Sequence, residues 1–508
     1  MKNSRKKENS FKTKVLFISL YDISACPIRT IHSFLKRENY SVSILFFKEL
    51  LFNQMEEPTK KELDLLISTI KLIGPDFICL SVKSPLLSIA GEISNLIKKE
   101  VDKPIIWGGS HATIVPEECI EYADIVCVGE GEYALLEFLQ NPEKTNIDNL
   151  WIKKGNEIIK NPVRNLVEDL DSLPFFDYSN ENKYTINHDK ISKGDPIIKK
   201  SNLNMIIGRG CFHNCTFCCN AYFLKLNKGK GKVVRKKSVG RVIEELLDIK
   251  KNLRNLKEIY FSDEVFSVSK EWITEFSKEY KKINIPFCCS FHPDNIDEEV
   301  VSMLKSAGLV YIQMGIQSGS QKIREEVYRR FTPNDLILKA AGIMKKYKII
   351  PKYDIILDNV YETEKDKEES FEFLLKLPRP YDLSLYSLTN FPKTELTERL
   401  IRDKYIKRED SKKALKQWRM TFSVKREKSN IHYNCMVSLL SKSFVPKSLI
   451  RTLFKSDYLK RNPYILVFFV KVCNHIKLAR AGIRMILTGR MSFSRLIYHL
   501  KNYKGITI

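Results

Sequence analysis

At 508 residues, with 43% hydrophobic and 11% aromatic residues, the chain carries enough apolar side chains for two or three packed domains, which excludes a disordered protein. No run approaches the roughly 18 apolar residues of a membrane span, and the basic leader MKNSRKKENSFKTK precedes only a short, strand-like run, not a signal-peptide core. The net charge of +24 favours polyanions such as nucleic acid, acidic lipid or phosphorylated substrates, and the twelve cysteines suit a reducing compartment, so a cytoplasmic location is expected.

After the leader (1–13), strand and helix patterns alternate. Lys14–Leu20, Val42–Phe47, Asp76–Val82, Pro104–Gly109 and Asp124–Gly129 read as buried strands, separated by helical patterns at Pro27–Arg37, Lys60–Ile73 and Ser88–Val101 and closed by one at Glu132–Leu139. Five short strands with intervening helices predict a doubly wound parallel sheet, Rossmann-like or flavodoxin-like, over 14–140. Ligands of such sheets bind at the carboxyl ends of strands, where Gly108-Gly109-Ser110-His111 and Gly129-Glu130-Gly131-Glu132 fall. Each turn alone is equally compatible with a mere tight turn. Cys79, Cys127 and Cys473 lie in apolar runs and read as core residues.

Residues 141–200 read as a linker with a hairpin at Leu150–Asn161, turning at Gly155-Asn156. The stretch NMIIGRGCFHNCTFCCN, Asn204–Asn220, then places Cys211, Cys215 and Cys218 at C-x3-C-x2-C on one tight loop. Three thiolates so spaced can hold three corners of an iron–sulfur cluster. Structural zinc would ask for a second ligand pair, which is not evident, and a redox C-x-x-C leaves Cys211 without a role. His213 inside the loop and Cys219 beside Cys218 are read as non-ligands. Alternation then resumes with longer helices, giving six βα steps over 201–390 and an incomplete βα barrel whose chemistry sits at the strand carboxyl ends.

The cluster spacing, its preceding glycines and Phe217 resemble the radical S-adenosylmethionine (SAM) superfamily, and WGGSHATIVPEE with ADIVCVGEGE resembles the cobalamin-binding domain that precedes the barrel in one subfamily. FSDEVF, FHPDNID, GIQSGS and DNVYET resemble that subfamily's later strand ends, though Val360 stands where a proline is usual. The resemblance implies a [4Fe–4S] cluster on Cys211, Cys215 and Cys218, with SAM on the fourth iron. It further implies SAM contacts from Phe217, Asp263, Gln317 and Ser318, and cobalamin contacts from Gly108, Gly109, His111, Gly129 and Glu130. Reductive cleavage of SAM to a 5′-deoxyadenosyl radical and cobalamin-dependent methylation of a small-molecule or lipid-linked substrate follow as expectations, with an external one-electron donor. The region after the first strand, YDISACPIRTIHSF, lacks the D-x-H-x-x-G of histidine-ligating corrinoid domains, so His32 is read as a helix residue and not a cobalt ligand.

Cyclisation or rearrangement, tRNA methylthiotransferase-like RNA modification, and a non-catalytic corrinoid sensor stand as rival functions. Nucleic acid is the less favoured partner, because no basic-aromatic RNA-binding barrel is evident at the C-terminus. Beyond 390 the chain reads as a basic helical region, 391–508, with fourteen Lys or Arg against one acid, Asp457, from Ser441 onward. A solvated cap on the barrel and a peripheral contact with anionic membrane both fit that pattern, the latter through Leu449, Leu453, Ile483 and Ile486.

Overall fold

The computed structural model describes residues 13–50, 55–266, 269–409 and 427–487. The leader up to residue 12 and, within the C-terminal region 391–508, residues 410–426 and 488–508 lie outside them. The chain forms two compact units, Met1–Leu50 with Glu56–Ile198, and Leu51–Met55 with Lys199–Ile508.

In the first unit β1 (Lys14–Leu20), β2 (Ser41–Phe47), β3 (Phe77–Ser81), β4 (Ile105–Gly108) and β5 (Ile125–Cys127) run parallel in the order β5-β4-β3-β1-β2. The near-continuous apolar runs of β1 and β2 are what a strand covered by helices on both faces requires, and both are buried along almost their whole length. The crossover helices start and stop on local chemistry. Thr59 and Glu62 form a reciprocal capping box at the start of Lys60–Ile73, and Gly74 ends that helix in the left-handed conformation.

The segment 141–200, read as a linker with a hairpin, forms that hairpin and is built into the sheet on both sides. β6 (Leu150–Lys154) and β7 (Glu157–Lys160) add antiparallel beyond β5, while β8 (Lys183–Asn187) pairs parallel to β2 and carries β9 (Lys190–Lys193) antiparallel at its side, making nine strands. The strands are short and polar because they sit at the sheet's edges, so hydropathy alone does not mark them. The segment is also tied down by charge. Arg29 on the Cys26–Arg37 helix bonds Asp195 at 2.5 Å with both side chains fully buried, and Lys183 lies 3.3 Å from the same carboxylate.

In the second unit β10 (Asn202–Met205) leads to a two-residue ribbon of β11 (Gly208–Arg209) and β12 (Arg235–Lys236). β13 (Glu258–Phe261), β14 (Phe287–Phe291), β15 (Leu309–Gln317), β16 (Ile350–Leu357) and β17 (Asp382–Ser387) then continue β10 as a six-stranded parallel sheet in chain order, a half-barrel. Alternate residues face opposite ways. Ile259, Phe261, Ile312, Met314, Ile316 and Tyr353 are buried on one face, while Tyr260, Ser290, Gln313, Lys352, Asp354 and Ser384 make a half-buried polar face on the other. Gln313 Nε2 donates to both oxygens of Asp354 at 2.8 and 3.0 Å, and the Tyr260 hydroxyl donates to Gln313.

C-terminal helices pack on this unit. Lys428–Leu440 is buried from Ile431 onward, and its Asn434 Nδ2 donates to Asp358 Oδ1 at 3.0 Å beyond the end of β16. Phe454 of Lys447–Lys455 stacks on Phe371 at 3.9 Å, and Lys477 of Tyr464–Leu487 pairs with Asp382 at the start of β17.

Candidate active site

The loop that carries the three cysteines lies between β11 and β12, and its glycines are set by crowding. A Cβ on Gly208 would stand 2.9 Å from the Arg235 carbonyl oxygen, and one on Gly210, at φ +86, would stand 2.3 Å from that of Val233. No other residue lets these two backbones pass so closely. Asp263, fully buried after β13, fixes the root of the loop by accepting the Ile207 N–H at 3.1 Å. Burial pushes its pKa up to about 6, with Lys236 opposing the shift.

Cys215 is buried, and Cys211 and Cys218 are half-buried. Each thiol is close enough to influence another's ionisation. Burial raises the Cys211 pKa to about 11 against an N–H···S bond from His213 at 3.4 Å. Cys218 is held down at about 7 by the Cys219 thiol, which opens the helix Cys219–Leu226 and serves as a neighbour to the cysteine trio. Among the described residues no three His, Cys, Asp or Glu side chains close round one point as a single metal ion would need. A cubane cluster takes one thiolate per iron and makes no such demand.

Two further residues converge on the loop, Arg330, which sequence reasoning passed over, and His292, which it placed only among the polar strand ends. Arg330 places Nη1 3.7 Å from Cys215 Sγ and anchors its other nitrogen on the Gly315 carbonyl at 2.8 Å. It follows Ile323–Val327, which winds as a π-helical turn. His292, after β14, stacks on His213 with ring centres 3.8 Å apart, and burial drives its pKa down to about 2, keeping it neutral. An arginine in YRRFT or a histidine in FHPD offers no spacing signal; only the fold brings them here.

The residues implied for SAM have other partners in this structure. The Phe217 ring meets Tyr328 edge-on at 5.3 Å within an apolar cluster containing Val327, Ile356 and Leu396. Ser318, almost wholly buried, bonds Glu362 at 3.1 Å and Ser370 at 3.0 Å, while Gln317 adopts φ +72 at the end of β15 and is half-buried. Burial lifts the Glu362 pKa to about 7, the bond from Ser318 opposing it.

In the first unit, Gly108 ends β4, and Gly109 at φ +98 lies so near β3 that an added Cβ would sit 2.8 Å from Val82 N and O. His111 is fully buried, with Nδ1 3.0 Å from Ser84 Oγ and Nε2 3.4 Å from Glu118. The Gly129 N–H donates to Thr113 Oγ1 at 3.0 Å, and the Glu130 carboxylate accepts the Val167 N–H at 2.8 Å. Polar side chains thus brace the turns, and the backbone at Gly108 and Gly129 is half-buried. His32 is buried in its helix, where desolvation holds its pKa near 3.

Residues 14–139 match the B12 binding domain family, and residues 205–374 match the Radical SAM superfamily. The chain belongs to the cobalamin-binding radical SAM proteins. An uncharacterised methyltransferase of Pyrococcus horikoshii is 26% identical over 406 residues, spanning 76% of this chain and 82% of its own length. Among solved structures, the radical SAM methyltransferase TsrM of Kitasatospora setae superposes with a TM-score of 0.63 at 14% identity, covering 77% of this chain and 76% of that one. The cobalamin-dependent SAM radical enzyme OxsB superposes with a TM-score of 0.63 at 16% identity, covering 96% of this chain and 75% of that one. At such identities these two likenesses establish the fold. The radical SAM half implies a [4Fe–4S] cluster and SAM, and the B12-binding half implies cobalamin. This chain is a radical SAM enzyme with a B12-binding domain.

Proposed function

We propose that the enzyme reductively cleaves SAM and methylates an unactivated carbon of a small-molecule or lipid-linked substrate, drawing electrons one at a time from an external one-electron donor. The observation that carries this reading is the trio of soft thiols on a loop at the carboxyl end of β10, in a chain that also holds a B12-binding domain. When bound, the cluster supplies the electron for cleavage and cobalamin carries the methyl group.

The chain's own residues do the positioning. Cys211, Cys215 and Cys218 are the assigned cluster ligands, thiolates being the form that binds iron. Arg330 sets a fixed positive charge beside Cys215, which favours its thiolate. Asp263 and the two glycines hold the loop's root, and the stacked His213 and His292 wall one side of it. The polar face of Tyr260, Gln313 and Asp354 gives a substrate hydrogen-bonding groups to align with. On the B12-binding unit, the backbone turns Gly108–His111 and Gly129–Glu130 are assigned to cobalamin, with no histidine from the first βα loop on cobalt. A lipid-linked substrate would bring the chain to the inner face of a membrane.

Anaerobic reconstitution tests the reading. About four irons should bind per chain, as a [4Fe–4S] cluster requires, together with corrinoid, and dithionite-reduced protein should turn SAM into 5′-deoxyadenosine. Cys215→Ala should lose cluster and cleavage together, and wild-type 5′-deoxyadenosine from that variant would reject the ligand assignment.

A further inference from the structure

We propose that the exposed face of the Tyr464–Leu487 helix lies on an anionic membrane surface. This rests on the surface alone and holds whatever the enzyme methylates. The helix has 24 residues, a rod of about 36 Å. One side is spent on the fold: Leu466, Val470, Cys473 and Asn474 are buried. Ile465, Phe468, Val472, Ile476 and Ile483 follow at steps of three, four, four and seven residues, so they share another face, and each is at least 41% exposed, Phe468 reaching 72%. A continuous exposed apolar stripe of this kind marks a surface for a partner or a membrane.

Charge decides the occupant. Between residues 464 and 487 there is no Asp or Glu, and exposed Lys471 and Arg480 flank the stripe on its two sides. Exposed Lys460 and Arg461 precede it. An apolar stripe bordered only by cations matches a leaflet of anionic headgroups, where the apolar side chains enter the acyl boundary and the ammonium and guanidinium groups stay at the phosphates. Among the described residues no helix is long and apolar enough to cross a membrane, so the helix lies along the surface. The structure redraws the contact expected from sequence. Leu453 and Ile486 are half-buried, and the face runs instead through Phe468, Val472 and Ile476.

Sedimentation of the full-length chain with vesicles of phosphatidylglycerol or phosphatidylcholine tests this. It should pellet with the anionic vesicles at low salt, be released at high salt, and stay in solution with the neutral ones. Phe468→Asp with Ile476→Asp should abolish pelleting without moving the thermal melt, since both side chains are exposed. Lys471→Gln and Arg480→Gln should each weaken binding about fivefold, the equivalent of about 1 kcal/mol per basic residue. Equal pelleting of the parent and the double-Asp variant, or none by the parent, overturns the proposal. So does a parent dimer that the double-Asp variant dissolves in light scattering, which would give the face to a second copy. Binding gained only on removal of residues 488–508 would give it to the chain's own tail and overturn the proposal too.

Discussion

Glu362 carries a proton-linked cost that can be measured apart from activity. It is buried against Ser318, and its folded pKa of about 7 stands above its ordinary 4.5. The native state therefore keeps the proton to higher pH than the unfolded chain does, and this group's contribution to stability is full below about 4.5 and lost as pH rises through 7. The gap amounts to roughly 3 kcal/mol. Glu362→Gln should flatten the parent's decline between pH 5 and 8 in urea denaturation of the cofactor-free chain and be the more stable protein at pH 8; parallel pH profiles would place the titration elsewhere. At this scale the sequence was uneven as a guide. The three cysteines announce themselves because a metal fixes both residue type and spacing. Arg330 does not, and neither does the pairing of His292 with His213, since the partners lie 115 and 79 residues away and only strand order brings them together.

The helix Lys428–Leu440 shows the same limit for whole elements. Its buried residues run unbroken from Ile431 to Leu440, so it has no polar face whose period would mark it as a core helix. Polar side chains inside it are spent on the half-barrel, Asn434 on Asp358 above all. Asn434→Leu should remove that donor while Ser387 still serves the other carboxylate oxygen, costing about 1–3 kcal/mol in chemical denaturation. No loss would mean that water replaces the amide. The parallel strands β1 to β5 were legible to within one or two residues, because a strand buried on two faces is written almost wholly in apolar residues. Of the later strands, β6 and β7 were legible as the hairpin Leu150–Asn161, while the polar β8 and β9 were not.

For the molecule as a whole, a charge of +24 is a long-range field as well as a local one. Reduction by an acidic electron-transfer protein should slow as ionic strength rises from 0.1 M to 1 M and the Debye length contracts from about 10 Å to about 3 Å. Stopped-flow rates that ignore salt would show that the donor docks without this field. The nine-stranded sheet of the first unit carries a consequence for handling the protein. Its outermost strands, EIIK at β7 and KISK at β9, hold Glu157, Lys160, Lys190 and Lys193 at the two rims. Inside them lie the apolar strands β5 and β2. A truncation placed at residue 140, where the apolar alternation stops, would strip both rims and leave β2 and β5 as bare, sticky margins. Such a fragment would polymerise edge to edge, so a cut meant to isolate the B12-binding fold belongs after β9.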